Sequence, residues 1–308
     1  MKKWVLKAIV QKTISFLPGG HSINYLFQKY VTKGVYLTDA YFFDRLTHAK
    51  THVDTYVSLS ANKTMGNTLE LGTGWYPVVP ISLFLSGAEN IYTIDISALL
   101  NKESLKTTLT RFMDLDTNGK LNSYLRVDAA RLNELRELYK EYDKIELSDA
   151  LKKLHIKYSI TDARNTGFPA AQFDLITSNN TFEHVYPQVL EGILKEFKRI
   201  IKPGGVMSHA IDMSDHFAHF DKTINVFNFL QFSDKQWKRI DNSIQPQNRW
   251  RITDFRKLYA QLNIPITKET DVKGNIEELQ KIKLDSRFAS IPIEEVAIIH
   301  CHLASIIM

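Results

Sequence analysis

A single cysteine, Cys301, stands in 308 residues, so no disulfide can form within the chain. Such cysteine usage fits a reducing, cytoplasmic setting. Long apolar runs are missing too: no window holds the roughly 18 uninterrupted apolar residues of a spanning helix. The start, "MKKWVLKAIVQKTISFLP", opens like a secretion signal, but Lys7, Gln11 and Lys12 break its apolar stretch and no small-residue cleavage site follows. Repeats and low-complexity segments are absent. So is any block of like charge. The 39 Lys and Arg are scattered among 34 Asp and Glu, for a net charge of +5. That scatter argues against a dedicated nucleic-acid surface and leaves room only for weak attraction to an anionic membrane or glycan.

What is present is material for a core. At 44% hydrophobic and 24% charged, the composition is that of an ordinary soluble protein. Trp4, Val5, Ile9 and Val10, interleaved with Lys2, Lys3, Lys7 and Lys12, give an amphipathic helix that either packs on its own domain or lies on a membrane surface. Residues 1 to about 65 read as helical, with a turn at "LPGG" (17–20). From residue 68 the pattern changes. "TLEL" is a short apolar strand, "PVVPISLFLSG" a helix closing at Gly87, and "NIYTIDIS" a second strand. Strands alternating with helices imply βαβ units and a parallel sheet.

Residues 99 to 156 interrupt that rhythm with three charged, helix-like stretches, read as a helical insertion. Strands resume at "KYSIT" (157–161) and "FDLITSN" (173–179). The helix "PQVLEGILKEFKRII" places Leu190, Ile193, Leu194, Phe197 and Ile201 on one face and is expected to stop at Pro203-Gly204-Gly205. "VMSHAI" (206–211), a strand near 265–272 and a last one over 296–307 complete about seven strands. The expectation is one doubly wound α/β sheet domain over 66–308, preceded by a helical extension over 1–65.

The stretch "LELGTGWYPVVP" (69–80) carries the first chemistry. Gly72 and Gly74 fall where a strand turns into a helix, a place for close backbone approach to a ligand. A dinucleotide site needs a third glycine at position 77, and Pro77 stands there. S-adenosylmethionine has no phosphate; it needs close backbone approach, an acid near its ammonium and a carboxylate for its ribose hydroxyls. Glu70 ends the first strand and Asp95 ends the second, about 20 residues past the glycines. A ribose carboxylate serves NAD as well, so Asp95 alone does not discriminate. The only Tyr-x-x-x-Lys, Tyr25 to Lys29, lies upstream of the loop, which speaks against a dehydrogenase.

Five blocks in order then decide between them: "LELGTG", "IYTIDIS", "DARNTGFPAAQFDLITSNNTFEHV", "LKEFKRIIKPGG" and "VMSHAID". From about Thr68 to Ile211 the chain resembles the class I S-adenosylmethionine-dependent methyltransferases, close to their broad type 11 group. The resemblance implies a seven-stranded Rossmann-like sheet. It also implies cofactor contacts from Glu70, Gly72, Thr73, Gly74, Asp95, Ile96, Asp162, Ala163 and Asn179. Asp162 with Ala163 would meet the adenine, and Ser178, Asn179 and Asn180 would line the transfer site. Tyr76 in place of the family's third glycine is a departure, and so is the helical insertion.

Methyl transfer is an in-line displacement at a sulfonium, in which the protein supplies alignment and a nucleophile free of its proton. A hydroxyl acceptor needs a base. Candidates follow strands four and five: Glu183 and His184, then Asp212 and His216, with Asp215 and His219 nearby. His209, within a strand, reads as a core imidazole. Asp212, Asp215 and His216 form either a solvated turn or a functional loop, and together could hold a divalent cation such as Mg2+ that clamps two sugar hydroxyls. The aromatics Phe217, Phe220, Phe227, Phe229, Phe232 and Trp237 either pack or stack on an acceptor. Asn248, Arg249 and Arg251 either meet an anionic acceptor or form an exposed turn. "DLDTNG" (114–119) opens like a calcium loop but has Leu125 where a bidentate Glu is required. His300 and His302, without a third ligand nearby, read as packing residues. "SHAIDMSDHF" is similar to segments of bacterial methyltransferases that act on sugars. The expected function is therefore O-methylation of a sugar or glycan hydroxyl. A small-molecule or lipid-quinone acceptor, or cofactor binding without catalysis, are the alternatives.

Overall fold

In the computed structural model, residues 2–17 and 36–308 are described. The turn at Pro18-Gly19-Gly20 and the pair Tyr25 and Lys29 lie outside those residues. Helix α1 (Lys3–Ile14) and helix α2 (Asp39–Leu59) precede the first strand. The sheet has seven strands: β1 (Asn67–Leu71), β2 (Asn90–Asp95), β3 (Ile156–Ile160), β4 (Phe173–Asn179), β5 (Ile201–Asp212), β6 (Lys268–Lys273) and β7 (Ile298–Ile306). Their order across the sheet is β3-β2-β1-β4-β5-β7-β6. β1 pairs in parallel with β2 and β4, whereas β7 runs antiparallel between β5 and β6.

Composition accounts for these places. Every residue of β4, "FDLITSN", is buried, as expected of a central parallel strand covered on both faces. β6, "KETDVK", sits at an edge and is largely exposed; charge there discourages pairing with a second chain. Between them, strand order reverses at β1 and β4, the point where open α/β sheets leave a crevice at their carboxyl ends.

Helices cover both faces. On one side α2 and α3 (Val78–Leu85) pack with α4 (Lys102–Thr117), α5 (Ala129–Glu141) and α6 (Leu147–Lys153). Phe42, Leu46, Ala49, Val53 and Tyr56 of α2 share that buried cluster with the α3 side chains. On the other side lie α7 (Pro187–Ile200) and α8 (Ile252–Gln261). α7 buries Leu190, Ile193, Leu194, Phe197 and Ile200, the stripe its 3.6-residue period demands.

The helix end differs from the expectation. α7 stops at Ile200, and β5 begins at once with Ile201, which pairs with Phe173. The sheet takes the Gly-Gly pair for itself: Gly204 N donates to Ile307 O, and Gly205 O accepts from Ile307 N. Gly204 sits at φ 76°, a left-handed conformation that glycine adopts without penalty.

α1 packs inward. Trp4, Ala8 and Ile14 are buried, and Trp4 stands against Phe217 and Phe232. Lys12 Nζ donates to the carbonyls of Lys238 and Asp241. No helix among the described residues is long and apolar enough to cross a membrane.

Candidate functional site

A cleft of about 590 Å3 opens at the carboxyl ends of β1, β2 and β4. The glycine turn forms its floor. Gly72 has φ 89° and Gly74 φ 63°, and a Cβ on Gly72 would come 2.6 Å from Thr181 Oγ1. Both strain and contact therefore require glycine at 72.

Two acids face this turn. Asp95 Oδ2 accepts from Gly74 N at 3.0 Å and Oδ1 from Ser97 N at 3.0 Å. Burial raises its pKa despite those bonds. Glu70 is buried; its Oε2 accepts from Thr93 Oγ1 at 2.9 Å and its Oε1 from Asn179 Nδ2 at 3.3 Å. Burial pushes Glu70 up to about 8, against the opposing pull of the Thr93 bond and the Arg45 charge. Thr73 Oγ1 stands 2.6 Å from Thr93 Oγ1, which joins the turn to the same network. Ile96 is exposed at the rim. Asp162 also lines the cleft, with its carboxylate gripped by Arg164 through Nε at 3.0 Å to both oxygens. That bond holds Asp162 below the usual carboxylate range. Ala163 is buried in the adjoining wall.

The network runs further than the sequence showed. Asn179 Oδ1 lies 2.8 Å from His52 Nε2, and His52 Nδ1 lies 2.7 Å from Ser208 Oγ. Ser208 Oγ in turn lies 2.7 Å from His302 Nε2. Because Asn179 Nδ2 donates to Glu70, its Oδ1 must accept from His52. His52 Nδ1 then accepts from the Ser208 hydroxyl, and His302 donates to Ser208. Every atom has one role.

Sequence reasoning missed the α2 residues. Tyr41 and Arg45 line the cleft, and Arg45 Nη1 is buried without a hydrogen-bond partner. Tyr41, Arg45, His48 and His52 fall at i, i+4, i+7 and i+11. Such a polar stripe on one face of a helix is a usable signal, but it lies before the segment that carries the resemblance.

The candidate catalytic residues converge only in part. Glu183 is buried, with neither carboxylate oxygen hydrogen-bonded; burial and nearby Asp212 hold its pKa well above the carboxylate range. His184 lines the cleft and its Nδ1 stands 2.7 Å from Pro246 O. The carbonyl can only accept, so Nδ1 carries the proton and Nε2 the lone pair. Burial, reinforced by His216, drives His184 down to about 3. The His184 and His216 rings meet edge to face at 4.7 Å. His216 Nε2 is 3.3 Å from Asp212 Oδ2. Burial alone would raise Asp212, but the bond to His216 and the charges of His216 and His300 keep it far below its usual range. His216 lies one layer behind His184, outside the lining of the main cleft.

Several expectations are corrected. Asp215 does not join Asp212 and His216 around a cation; fully buried, it accepts from Phe217 N at 2.8 Å and Asn228 Nδ2 at 3.1 Å. Arg249 and Arg251 neither meet an acceptor nor form an exposed turn. Both are buried: Arg249 donates to Phe229 O and Asp234, and Arg251 to the carbonyls of Met213, Val296 and Ile298. Asn248 likewise donates to Phe182 O and Val185 O. Phe217, Phe227, Phe229, Phe232 and Trp237 pack in a cluster with α1 rather than line the cleft, and Phe220 is exposed. His302 is a relay member rather than a packing residue, and His300 faces Asp212 at 3.5 Å. His209 is fully buried against Ser178, Phe182 and Phe197. Asp116 of the calcium-like stretch is held by Arg136.

Residues 118–208 match the model of a family described as "Methyltransferase domain". The match begins just after α4 and takes in α5, α6, β3, β4, α7 and much of β5, but not the glycine turn. No curated protein matches by sequence. Among solved structures, the chain is similar to Haemonchus contortus phosphoethanolamine N-methyltransferase 2 with S-adenosylmethionine bound, at 13% identity and TM-score 0.48. That alignment covers 91% of this chain and 59% of the other, so the chain spans less than two thirds of that protein. It is also similar to a S-adenosylmethionine-dependent methyltransferase of Methanosarcina mazei, at 12% identity and TM-score 0.46, covering 82% and 96%. The geranyl diphosphate C-methyltransferase of Streptomyces coelicolor aligns at 10% identity and TM-score 0.45, covering 84% and 79%. The sheet order and the glycine turn are those of a doubly wound, Rossmann-like α/β fold, and within it residues 118–208 carry the likeness to a methyltransferase domain.

Proposed function

We propose that this enzyme works in the cytoplasm and transfers the methyl group of S-adenosylmethionine to a hydroxyl of a sugar or glycan. Gly72, Thr73 and Gly74 would cradle the cofactor, Glu70 would face its ammonium, Asp95 would hold its ribose hydroxyls, and Asp162 with Ala163 would meet the adenine. In the transfer, an acceptor oxygen attacks the methyl carbon as the carbon–sulfur bond breaks, and the bond pair stays on sulfur as S-adenosylhomocysteine. The hydroxyl proton must leave as the new bond forms.

One observation carries the choice of a hydroxyl. The His184 ring lines the cleft with Nδ1 committed to Pro246 O, which leaves Nε2 as an acceptor for an O–H at the end of the cleft away from Asp95. Asp212 stands behind it, and its charge favours the imidazolium that develops. A neutral amine or a thiolate would need none of this.

A second reading has its own support. α1 leaves Leu6, Ile9 and Phe16 exposed beside Lys2 and Lys3, a surface suited to an anionic membrane. A lipid-quinone acceptor would be met there. Methyl-labelled cofactor with cell extract separated into polysaccharide, lipid and small-molecule fractions distinguishes the readings. Label in the polysaccharide fraction is expected; label confined to lipid transfers the function to the second reading, and label nowhere removes both.

A further inference from the structure

Glu183, His184 and His216 bring one ligand atom each to within 4.8 Å of one another. They come from two segments, the turn after β4 and the loop after β5, which the sheet holds side by side through β4–β5 pairing. We infer that these three side chains form a binding site for a divalent first-row transition ion at the inner wall of the cleft. The inference does not rest on the acceptor being a sugar; with the ion bound, His184 Nε2 is a ligand and the hydroxyl proton would be lost through the ion's open position instead of to that nitrogen.

Four observations converge. First, the donor set is two imidazoles and a carboxylate, which suits Zn2+, Mn2+, Fe2+ or Co2+ better than Mg2+, an ion that prefers oxygen. Second, Glu183 is only 2% exposed, yet both its oxygens lack a hydrogen-bond partner. Leaving a buried polar group unpaired is destabilising, more so when it is charged, and a cation removes that cost. Third, His184 already has the support that metal-bound histidines show: Nδ1–H to a backbone carbonyl, Pro246 O at 2.7 Å, with Nε2 left to bind. Fourth, Asp212 lies 3.3 Å from His216 Nε2, where a carboxylate can back that ring.

Size agrees. An ion about 2.1 Å from each ligand sets the ligand atoms about 3–3.5 Å apart, so a pair at the 4.8 Å limit closes by about 1.3–1.8 Å when the ion binds. Charge agrees as well, since Glu183 and Asp212 together balance a divalent ion, and Arg45 already has Asp44 at 3.9 Å. Three protein ligands leave open positions, and His184 borders the cleft, so an open position would face the acceptor.

The test uses the whole protein stripped with chelator, then titrated with Zn2+ alone and with Co2+ alone, by calorimetry and by the visible absorption of Co2+. About one ion per chain is expected, with a Co2+ spectrum of nitrogen and oxygen ligation. Glu183→Gln, His184→Ala and His216→Ala should each weaken Zn2+ binding by about 100-fold or more, since losing even an outer partner costs about 10–100-fold. His219→Ala, beside His216 but outside the trio, should bind like wild type. Circular dichroism checks that each variant is folded, and the wild-type spectrum decides the matter for any that is not. No stoichiometric uptake of either ion, or equal uptake by wild type and all three variants, overturns the site. Transfer of labelled methyl with no bound metal would leave the methyltransferase reading standing while this one fell.

Discussion

The two ends of the cleft are built differently. Around β1 and β2 nearly every polar atom has a partner before any ligand arrives: Asp95 holds two backbone N–H groups, and Glu70 sits in a chain that runs through Asn179, His52 and Ser208 to His302. Around the turn after β4, Glu183 has both oxygens unpaired, and Arg45 Nη1 of the neighbouring α2 lacks a hydrogen bond. One end is wired for a fixed guest. The other keeps unmet polar demand, which in a buried place is destabilising unless something else meets it. Under the proposed function, the contrast would separate a rigid cofactor end from an acceptor end that is completed by what it binds.

If that division is right, the largest effect lies at the acceptor end and leaves the cofactor end untouched. His184→Ala should lower turnover by about 10²–10⁴, the range for removing a positioned proton acceptor. S-adenosylhomocysteine affinity, measured by calorimetry, should stay within about twofold of wild type. His216→Ala should act in the same direction through its contact with His184. A loss of S-adenosylhomocysteine affinity as large as the loss of turnover would erase the distinction between the two ends.

A smaller effect is expected from the reverse experiment. Asp95→Ala should weaken S-adenosylhomocysteine by about 1.5–3 kcal/mol, the range for hydrogen bonds to a charged group. NAD should not bind to either protein. Unchanged affinity in the variant would take Asp95 out of the site.

The same contrast explains what the sequence could and could not reveal. The placement of Gly72, Gly74, Glu70 and Asp95 around one turn was legible because strand, turn and acid are local in the chain. Strand count followed from short apolar runs such as that of β4. The acceptor end depends on partners far apart in the chain: His184 and Pro246 are 62 positions apart, and no periodicity connects them. Arg249 and Arg251 misled for a related reason. A basic surface turn and a pair of buried carbonyl staples have the same sequence, and only packing tells them apart. His52 was invisible because its partners Asn179 and Ser208 lie on strands more than 100 residues downstream.

The smallest effect is the most diagnostic for Glu70, because it has a direction that simple damage lacks. Buried beside Arg45 of α2 and Asp95 of β2, Glu70 is pushed from its ordinary 4.5 up to about 8 in the free protein. Folding with a raised carboxyl favours the protonated form, so its contribution to stability is full below about 4.5 and is lost as pH rises through about 8. The melting temperature of the cofactor-free protein should therefore fall more steeply from pH 5 to pH 8 in wild type than in Glu70→Gln. Binding should run the other way. A cofactor ammonium favours ionised Glu70, and the ionised fraction rises about fivefold between pH 7 and pH 8 for a group of that pKa. S-adenosylhomocysteine affinity should climb by about that factor over the interval, and Glu70→Gln should bind more weakly with no such climb. A wild-type affinity that is flat across the interval would mean that Glu70 is either already ionised or not in contact with the ammonium. The fully wired cofactor end would then owe its order to packing rather than to its guest.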